Sequence, residues 1–493
     1  MIGALRPARL LVLVLALPAS TAFAERFGQL EKCVIQAPGG LVSAEARCGT
    51  LEVPEDPEAP GGRRIELAYG VIPSVAAGAR PDPVFYLAGG PGQSAIDLLP
   101  LKRFALGEMN RSRDLIFVDQ RGTGRSNPLT CDFDAVDPYL QPDPETIAEL
   151  YRACLAELDA DPRHYTTINS ARDLDAVRAH LGFETINLVG TSYGTRLAQV
   201  YLRHFPEHVR SAVLDGVVPT RLPLGSEHGR ALDDALARIL DACSEDAACN
   251  RQFPDIRARL SGLRERFEAE VDPRRLELTQ PRTGQSRTVE FDRDGLAQTL
   301  RMLSYSAQTQ ALLPLLIFEA DTTGSADRLA TQLMLVFDQL EDLIAVGLET
   351  SIGCTEDWPV WRELPERELA AERDTLLGDS MRTMRERICA IWPAGTAPED
   401  FHAPFDSAVP ILLLSGEFDP VTPPRYGDEA ARQFSRSRHL TVTGQGHGVI
   451  MPPCVSGIAA EFVATLDLDG LDVSCLDRLG PAPFFLDLLG PAP

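Results

Sequence analysis

The sequence is poor in basic residues relative to acidic ones. Lys and Arg together number 47 against 71 Asp and Glu, and the formal net charge at pH 7 is −24. A surface with this charge repels nucleic acid and anionic membranes, so we expect no nucleic-acid partner and no membrane association of the mature chain. No apolar run after residue 24 reaches the roughly 20 residues that a membrane-spanning helix needs.

Closely spaced metal ligands are also missing from the sequence. No two cysteines are separated by two residues, and the eight histidines do not cluster near cysteines at the spacing of metal ligands. Structural zinc sites depend on such spacing. We therefore predict that the protein has no metal site.

The first 24 residues have the pattern of a secretory signal peptide. Arg6 and Arg9 precede an apolar run, Leu10–Ala19, and Ala22 and Ala24 supply the small residues of a cleavage site. The run is much shorter than a membrane span, so we predict cleavage after Ala24 rather than a membrane anchor. The protein is expected to be exported to the periplasm or the medium.

The ten cysteines all follow this segment, and an even number of them in an exported chain predicts disulfide bonds. The sequence leaves the connectivity open. Pairing each cysteine with its neighbour in sequence is the simplest arrangement, and it gives Cys33–Cys48, Cys131–Cys154, Cys243–Cys249, Cys354–Cys389 and Cys454–Cys475.

Short apolar runs that end abruptly in turn residues predict buried parallel strands. Five segments have this form: Pro83–Gly92, Asp114–Gly124, Ile186–Gly194, Ser211–Pro219 and Val409–Pro420. Helical patterns lie between them, such as Ser170–Gly182, with Ser170 as the expected N-cap. Strands that alternate with helices favour an α/β fold with a mostly parallel sheet covered on both faces.

Residues 221–403 have a different pattern, dominated by long amphipathic segments. We interpret this region as an inserted and mainly helical cap domain, with a possible pair of short strands at 276–291. The α/β core would then comprise residues 25–220 and 404–493, after a signal peptide at 1–24. The repeated LGPAP of the C-terminal tail is too short to be a structural repeat.

A G-x-S-x-G motif centres on Ser192, between the predicted strand at 186–189 and a predicted helix over 196–204. This strand-to-helix turn is the context of a nucleophile elbow, in which the serine hydroxyl attacks a carbonyl carbon. The helix start favours the negative charge that develops during acyl transfer. We therefore predict that Ser192 is a catalytic nucleophile.

A serine nucleophile needs a histidine base that is oriented by an acid. His447 lies in GQGHG after a short apolar strand, and the flanking glycines allow that loop to reach over the sheet edge. The acid is expected at a strand end between Ser192 and His447, where Asp419 is the candidate and Glu417 a rival. The order Ser, Asp, His is that of α/β-hydrolases.

The oxyanion hole is predicted in the turn Gly89–Gly92, which follows the first clear strand. Backbone N–H groups approach a ligand most closely where no side chain intervenes. The donors would be the amides of Tyr193 and Gly90, with Gly89 as a rival for the latter.

These motifs together, with DQRGTGRS at Asp119–Ser126, resemble the proline iminopeptidase and tripeptidyl aminopeptidase group of exported α/β-hydrolase serine peptidases. The likeness covers nearly the whole mature chain and is nearer to the tripeptidyl aminopeptidase branch. Two positions depart from the common pattern of the group: Ala88 precedes GGPG in place of His, and Thr195 follows the elbow in place of Gly. The resemblance implies that Asp119 and Arg121 support a loop near the site.

The resemblance also implies that a cap acid binds the free α-amino group of a peptide, because a carboxylate suits an ammonium group. Glu356 and Asp357, beside Cys354 in SIGCTEDWPVW, are the candidates, and solvated or salt-bridged acids are the alternative interpretation. The leading hypothesis is a cofactor-independent serine exopeptidase acting on peptides with a free N-terminus. An esterase or amidase for small acyl compounds, and a catalytically silent binding protein, are the other two hypotheses.

Overall fold

The computed structural model describes residues 27, 29–133, 137, 139–140, 142–340 and 343–491, with residues 337–340 described by their backbone. The predicted signal peptide at 1–24 lies outside the described residues. Within the described ranges, no helix is both long and apolar enough to cross a membrane.

A nine-stranded sheet and a two-stranded hairpin contain the described strands. The strands in chain order are β1 Glu31–Gln36, β2 Ser43–Pro54, β3 Arg64–Ile72, β4 Val84–Leu87, β5 Leu115–Val118, β6 Ile186–Thr191, β7 Val209–Asp215, β8 Arg274–Thr279, β9 Ser286–Phe291, β10 Ile411–Gly416 and β11 Ser437–Val442. The large sheet has the order β1-β2-β3-β5-β4-β6-β7-β10-β11, and β8 pairs with β9. In this sheet order, the neighbouring strands from β5 through β4, β6, β7 and β10 to β11 pair parallel. The pairs β1–β2, β2–β3 and β3–β5 are antiparallel.

The central parallel strands β4, β5 and β10 are short and mainly apolar because both of their faces are covered. Every residue of β4, β5 and β10 is buried. One face packs on a cluster that includes Leu188, Tyr201 and Leu413, and the other on a cluster that includes Val189 and Phe462. Runs of this kind are typical of strands between two helical layers.

The helices in chain order are α1 Ala95–Ala105, α2 Gly107–Asn110, α3 Pro144–Glu157, α4 Thr167–His180, α5 Tyr193–His204, α6 His228–Glu245, α7 Ala247–Gln252, α8 Ile256–Ala269, α9 Arg293–Leu303, α10 Ala307–Gln310, α11 Leu313–Thr323, α12 Asp327–Leu340, α13 Val346–Ile352, α14 Trp358–Trp361, α15 Glu366–Arg373, α16 Ser380–Cys389, α17 Pro424–Gln433 and α18 Pro453–Thr465.

The helix predicted to start at Ser170 in fact starts at Thr167. Its N-cap is Thr166, whose hydroxyl accepts a hydrogen bond from the N–H of Asn169, because threonine caps a helix as serine does.

Helices α6 to α9, α11 and α12 and the hairpin β8–β9 share an apolar cluster, which includes Leu232, Phe267 and Phe291. The strand pair predicted at 276–291 is confirmed by β8 and β9. Backbone hydrogen bonds join the helical region at 221–403 to loops of the sheet, among them Ala345 N to Gly92 O at 3.0 Å and His447 N to Tyr305 O at 2.8 Å. The helical region therefore lies directly on the carboxyl edge of the parallel strands.

All ten cysteines form disulfide bonds, so the disulfide prediction is confirmed. Each cysteine pairs with its neighbour in sequence, giving Cys33–Cys48, Cys131–Cys154, Cys243–Cys249, Cys354–Cys389 and Cys454–Cys475.

Candidate active site

Ser192 is the single residue between β6 and α5, and its backbone is strained. Its φ of 58° and ψ of −126° lie in a region that residues with a side chain rarely adopt. The turn is tight on both sides: a Cβ on Gly190 would meet the carbonyl oxygen of Gly194, and a Cβ on Gly194 would meet that of Leu87. Glycine is required at both positions, so the G-x-S-x-G motif here forms the predicted strand-to-helix elbow.

Asp419 and His447 are brought together by two neighbouring parallel strands. Asp419 follows β10, His447 follows β11, and the carboxyl ends of these strands lie side by side. Oδ2 of Asp419 is 2.8 Å from Nδ1 of His447. The other oxygen, Oδ1, accepts hydrogen bonds from the N–H groups of Val421 and Thr422, each at 2.8 Å. A carboxylate held in this way fixes the orientation of the imidazole ring.

Thr422 is a further member of this group that sequence reasoning missed. Its hydroxyl donates to Oδ2 of Asp419 at 2.7 Å and lies 3.0 Å from Nδ1 of His447. The signal that could have identified it is the position three residues after Asp419, because a threonine there caps the turn that the aspartate starts. The rival acid Glu417 faces elsewhere, since its Oε2 accepts a hydrogen bond from the N–H of Gly444 at 2.9 Å.

The surroundings shift the pKa values of Asp419 and His447 apart. Burial opposes the charge of Asp419, but His447 and the hydrogen bonds from Thr422 hold the pKa of the carboxyl below its ordinary value. Burial also opposes the positive charge of His447. The Asp419 carboxylate outweighs this effect of burial, so the pKa of the imidazole is raised. Asp419 therefore stays ionised while His447 changes its protonation state.

Asp215, at the end of β7, holds the Ser192 turn and the His447 loop together. Its backbone carbonyl accepts a hydrogen bond from the N–H of Ser192 at 2.9 Å. Its carboxylate accepts from the N–H groups of Val449 at 2.7 Å and Ile450 at 3.1 Å. The histidine loop and the elbow are thus fixed to one residue at the carboxyl edge of the sheet.

The turn Gly89–Gly92 approaches Ser192 closely. A Cβ on Gly89 would lie 3.1 Å from Cβ of Ser192, so this position has no room for a side chain. The N–H groups of Gly90 and Tyr193 donate no hydrogen bond to any residue that the structure describes. The Tyr193 N–H is also at the first turn of α5, where the helix dipole favours negative charge.

Glu356 is buried and makes no salt bridge with any described residue, although the charge of Arg196 acts on it from a distance. It lies in a π-helical turn, Gly353–Asp357, and is 2% exposed. Its two oxygens accept hydrogen bonds from the N–H and the hydroxyl of Thr167, each at 2.6 Å, and that hydroxyl lies 2.8 Å from the phenol oxygen of Tyr193. Burial raises the pKa of Glu356 to about 7.

Asp357, the other predicted amine-binding acid, already has a counter-ion. Its Oδ1 is 2.7 Å from Nη1 of Arg196 and accepts a hydrogen bond from the N–H of Leu224 at 2.9 Å. Both ionic side chains are almost fully buried. This arrangement corresponds to the alternative interpretation of the sequence, a salt-bridged acid.

Asp119 and Arg121 hold the loop that follows β5. Arg121 makes two hydrogen bonds to the carboxylate of Asp173, at 2.7 and 2.8 Å. Asp119 accepts hydrogen bonds from the Ser94 hydroxyl and the Ile96 N–H at the start of α1, and burial raises its pKa to about 6. These contacts agree with a supporting role for the DQRGTGRS segment.

Within the described residues, no group of three or more His, Cys, Asp or Glu side chains is arranged so that it could hold a metal ion.

Comparison with known proteins gives relatives over most of the chain. A family model described as the alpha/beta hydrolase fold matches residues 82–452. Serine protease Hip1 of Mycobacterium tuberculosis is 27% identical over 444 residues, 84% of this chain and 83% of that protein. Tripeptidyl aminopeptidase of Streptomyces coelicolor is 28% identical over 478 residues, 89% of this chain and 84% of that protein. Carboxylesterase B of Mycobacterium tuberculosis is 28% identical over 479 residues, 87% of this chain and 86% of that protein. Together these similarities support a serine hydrolase.

Proposed function

Because this chain belongs to the α/β hydrolase fold family, we propose that it is an exported serine exopeptidase that shortens peptides from their free N-terminus. The observation that carries this proposal is the 2.8 Å hydrogen bond between Asp419 and His447, at the same sheet edge as the strained Ser192 elbow. The relatives named serine protease and tripeptidyl aminopeptidase add support for a peptide substrate.

In the proposed reaction, Oγ of Ser192 attacks the carbonyl carbon of the scissile bond while His447 takes the hydroxyl proton. Asp419 stabilises the imidazolium, and the N–H groups of Gly90 and Tyr193 donate to the oxyanion. The C–N bond then breaks, and His447 gives the proton to the leaving amine. Water attacks the acyl-enzyme with His447 again as base, which releases the acid and regenerates Ser192.

Glu356 is the group that we assign to the substrate amine. A buried carboxylate without a counter-ion is unfavourable, and an ammonium group would supply the missing charge. The hydrogen bonds through Thr167 connect Glu356 to Tyr193, whose N–H is a proposed oxyanion donor. Asp357 is less suited, because Arg196 already balances its charge.

Export is the part of the proposal supported by the five disulfide bonds, since such bonds persist in oxidising compartments. The N-terminal pattern of residues 1–24 agrees with a route to the periplasm or the medium.

An esterase acting on small acyl compounds is the second candidate function, and the similarity to carboxylesterase B favours it. Both functions would use the same serine, so the substrate decides between them. We expect aminoacyl and tripeptidyl amides with a free amine to be hydrolysed with higher kcat/KM than their N-acetylated forms. Equal rates for free and acetylated peptides, or hydrolysis of simple esters alone, would reject the exopeptidase.

Labelling by a fluorophosphonate tests the nucleophile itself. The wild type should react with the probe, and Ser192→Ala should lose both labelling and hydrolysis. Ser226→Ala is a matched control, because Ser226 is a buried serine whose hydroxyl donates to the Pro223 carbonyl. A wild type that the probe does not label would favour a catalytically silent binding protein.

A further inference from the structure

Arg301, on α9, is a cation without a counter-ion close to the proposed catalytic histidine. It has no ion-pair partner among the described residues, and its Nε is buried without a hydrogen bond. Arginines elsewhere around the site are paired, as Arg196 is with Asp357 and Arg385 with Glu349. An unpaired charge in a partly buried place costs free energy that a bound anion would offset.

The neighbours of Arg301 are uncharged and leave donors available. Nη2 of Arg301 lies 3.4 Å from Nδ1 of His228, and its guanidinium carbon lies 5.8 Å from the ring centroid of Tyr305. Burial, together with the charge of Arg301, lowers the pKa of His228 well below its ordinary value. In the neutral ring, Nδ1 accepts from Arg301, so Nε2 carries the proton and is a second donor.

Tyr305 joins this pair to His447. The rings of Tyr305 and His447 are 5.2 Å apart at an angle of 74°, and the Tyr305 carbonyl accepts the hydrogen bond from the His447 N–H. A catalytic histidine gives its proton to the leaving group, so the leaving-group half of a substrate lies nearest to its ring. Arg301 and His228 are therefore linked through Tyr305 to the ring that serves the leaving group.

We propose that Arg301 and His228 bind a carboxylate on the leaving-group half of the substrate, foremost the free C-terminal carboxylate of a short peptide. This inference rests on the proposed exopeptidase function and narrows its substrate class. Among the described residues, Glu356 is a buried acid that makes no salt bridge, and Arg301 is a cation that makes none either. A short peptide that carries both a free amine and a free carboxylate complements the two groups.

The first test compares wild-type kcat/KM for short peptides that differ only in a C-terminal carboxylate or carboxamide. Charge-assisted hydrogen bonds of this kind predict a preference for the acid of about tenfold or more. In a second pair of peptides, both amidated at the C-terminus, one carries Glu and the other carries Gln directly after the scissile bond. This pair tests recognition of a side-chain carboxylate, whereas the first pair tests recognition of a terminal carboxylate. A preference in either pair supports the carboxylate site, and a ratio near one in both pairs overturns it.

The second test asks whether Arg301 causes the preference. In Arg301→Gln the acid-to-amide ratio of kcat/KM should fall towards one, and Arg301→Lys should retain part of it. Arg328→Gln is the matched control, because Arg328 is an exposed arginine on α12 that pairs with Glu319, and it should leave the ratio unchanged. A parallel loss for both substrates in Arg301→Gln would show a structural role and overturn the proposal.

A third substrate pair separates failure of this inference from failure of the proposed function. Acyl esters of 4-hydroxybenzoate and 4-hydroxybenzamide differ by a carboxylate on the leaving group and need no peptidase activity. If no peptide is cleaved, the exopeptidase is rejected, while a benzoate preference that Arg301→Gln removes still supports the carboxylate site. The absence of that preference rejects the site alone.

Discussion

The backbone N–H of Ser192 donates a hydrogen bond to the carbonyl oxygen of Asp215 at 2.9 Å. The carboxylate of the same aspartate accepts hydrogen bonds from the N–H groups of Val449 and Ile450, which follow His447 in the chain. Asp215 therefore sets the position of the proposed nucleophile relative to the proposed base, although it need not touch the substrate. We regard it as a positioning residue.

Replacing Asp215 by Asn should slow catalysis more than it weakens binding. The amide oxygen can accept one of the two loop N–H groups, but the amide nitrogen cannot accept the other, and a buried donor without a partner costs about 1–3 kcal/mol. We expect kcat to fall roughly tenfold or more with a smaller change in KM. The Asp215 charge also raises the pKa of His447, so the acid limb of kcat/KM should move to lower pH in the variant.

Asp241→Asn is the control for this variant, because Asp241 is an exposed acid on α6 paired with Arg257 on α8. A folded Asp215→Asn protein with an unchanged pH profile would contradict the positioning role.

Asp419→Asn should lower kcat strongly. The amide cannot stabilise the imidazolium and favours the wrong tautomer of His447, an effect on the order of 10⁴ in a serine protease. Steady-state kinetics of Asp419→Asn and Glu417→Gln compare two acids of one loop, and Glu417→Gln should stay close to wild type. The reverse result would make Glu417 the acid.

The pH dependence of kcat/KM should follow His447. The base must be neutral to accept the serine proton, and the Asp419 carboxylate raises the pKa of His447 above 6.5. Activity should therefore fall as the pH decreases, with a midpoint above 6.5. A profile measured from pH 5 to 9 with an uncharged substrate tests this, and constant activity down to pH 5 would argue against His447.

Glu356→Gln should change stability in a pH-dependent way. Its folded-state pKa of about 7 exceeds the ordinary 4.5, so the folded wild type binds a proton more tightly than the unfolded chain. Wild-type stability should decrease as the pH rises from about 4.5 to about 7, and the uncharged variant lacks this decrease. Between pH 5 and pH 8 the free energy of unfolding of the wild type should therefore fall by roughly 1–3 kcal/mol relative to that of Glu356→Gln.

Urea unfolding of wild type and Glu356→Gln at both pH values provides the measurement, with the exposed Glu366→Gln as control. The same variant should have a higher KM for peptides with a free amine. Parallel stability curves for wild type and Glu356→Gln would mean that Glu356 is not buried as an isolated acid.

Removing the Cys354–Cys389 bond should affect substrate binding as well as stability. The bond ties the turn that contains Glu356 to the end of α16. The double Cys→Ala variant should lose about 2–4 kcal/mol of stability and have a raised KM. The Cys33–Cys48 bond joins β1 to β2 at the far edge of the sheet, so its removal should lower the melting temperature without changing KM.

Much of the core could be predicted because its signals are local. The buried strands β4, β5, β6, β7 and β10 appear as short apolar runs, and the α/β-hydrolase class that they indicated is confirmed. The antiparallel strands β1, β2 and β3 were not predicted. Their apolar residues are interrupted by exposed polar ones, as in β2, and their pairing depends on partners elsewhere in the chain.

For the site, the sequence by itself determined which residues could react and in what order they occur: an elbow serine, an acid and a histidine, each after a strand. Only the tertiary structure decided which carboxylate faces Nδ1 of His447, that of Asp419 and not that of Glu417, because this contact joins two loops that are separate in sequence. It also distinguished Glu356 from Asp357, which are adjacent in sequence but differ in their partners. Thr422 was missed although its position three residues after Asp419 is a local signal. Asp215 and Arg301 were not identified from sequence, because their roles arise from contacts between distant strands and helices that no local pattern records.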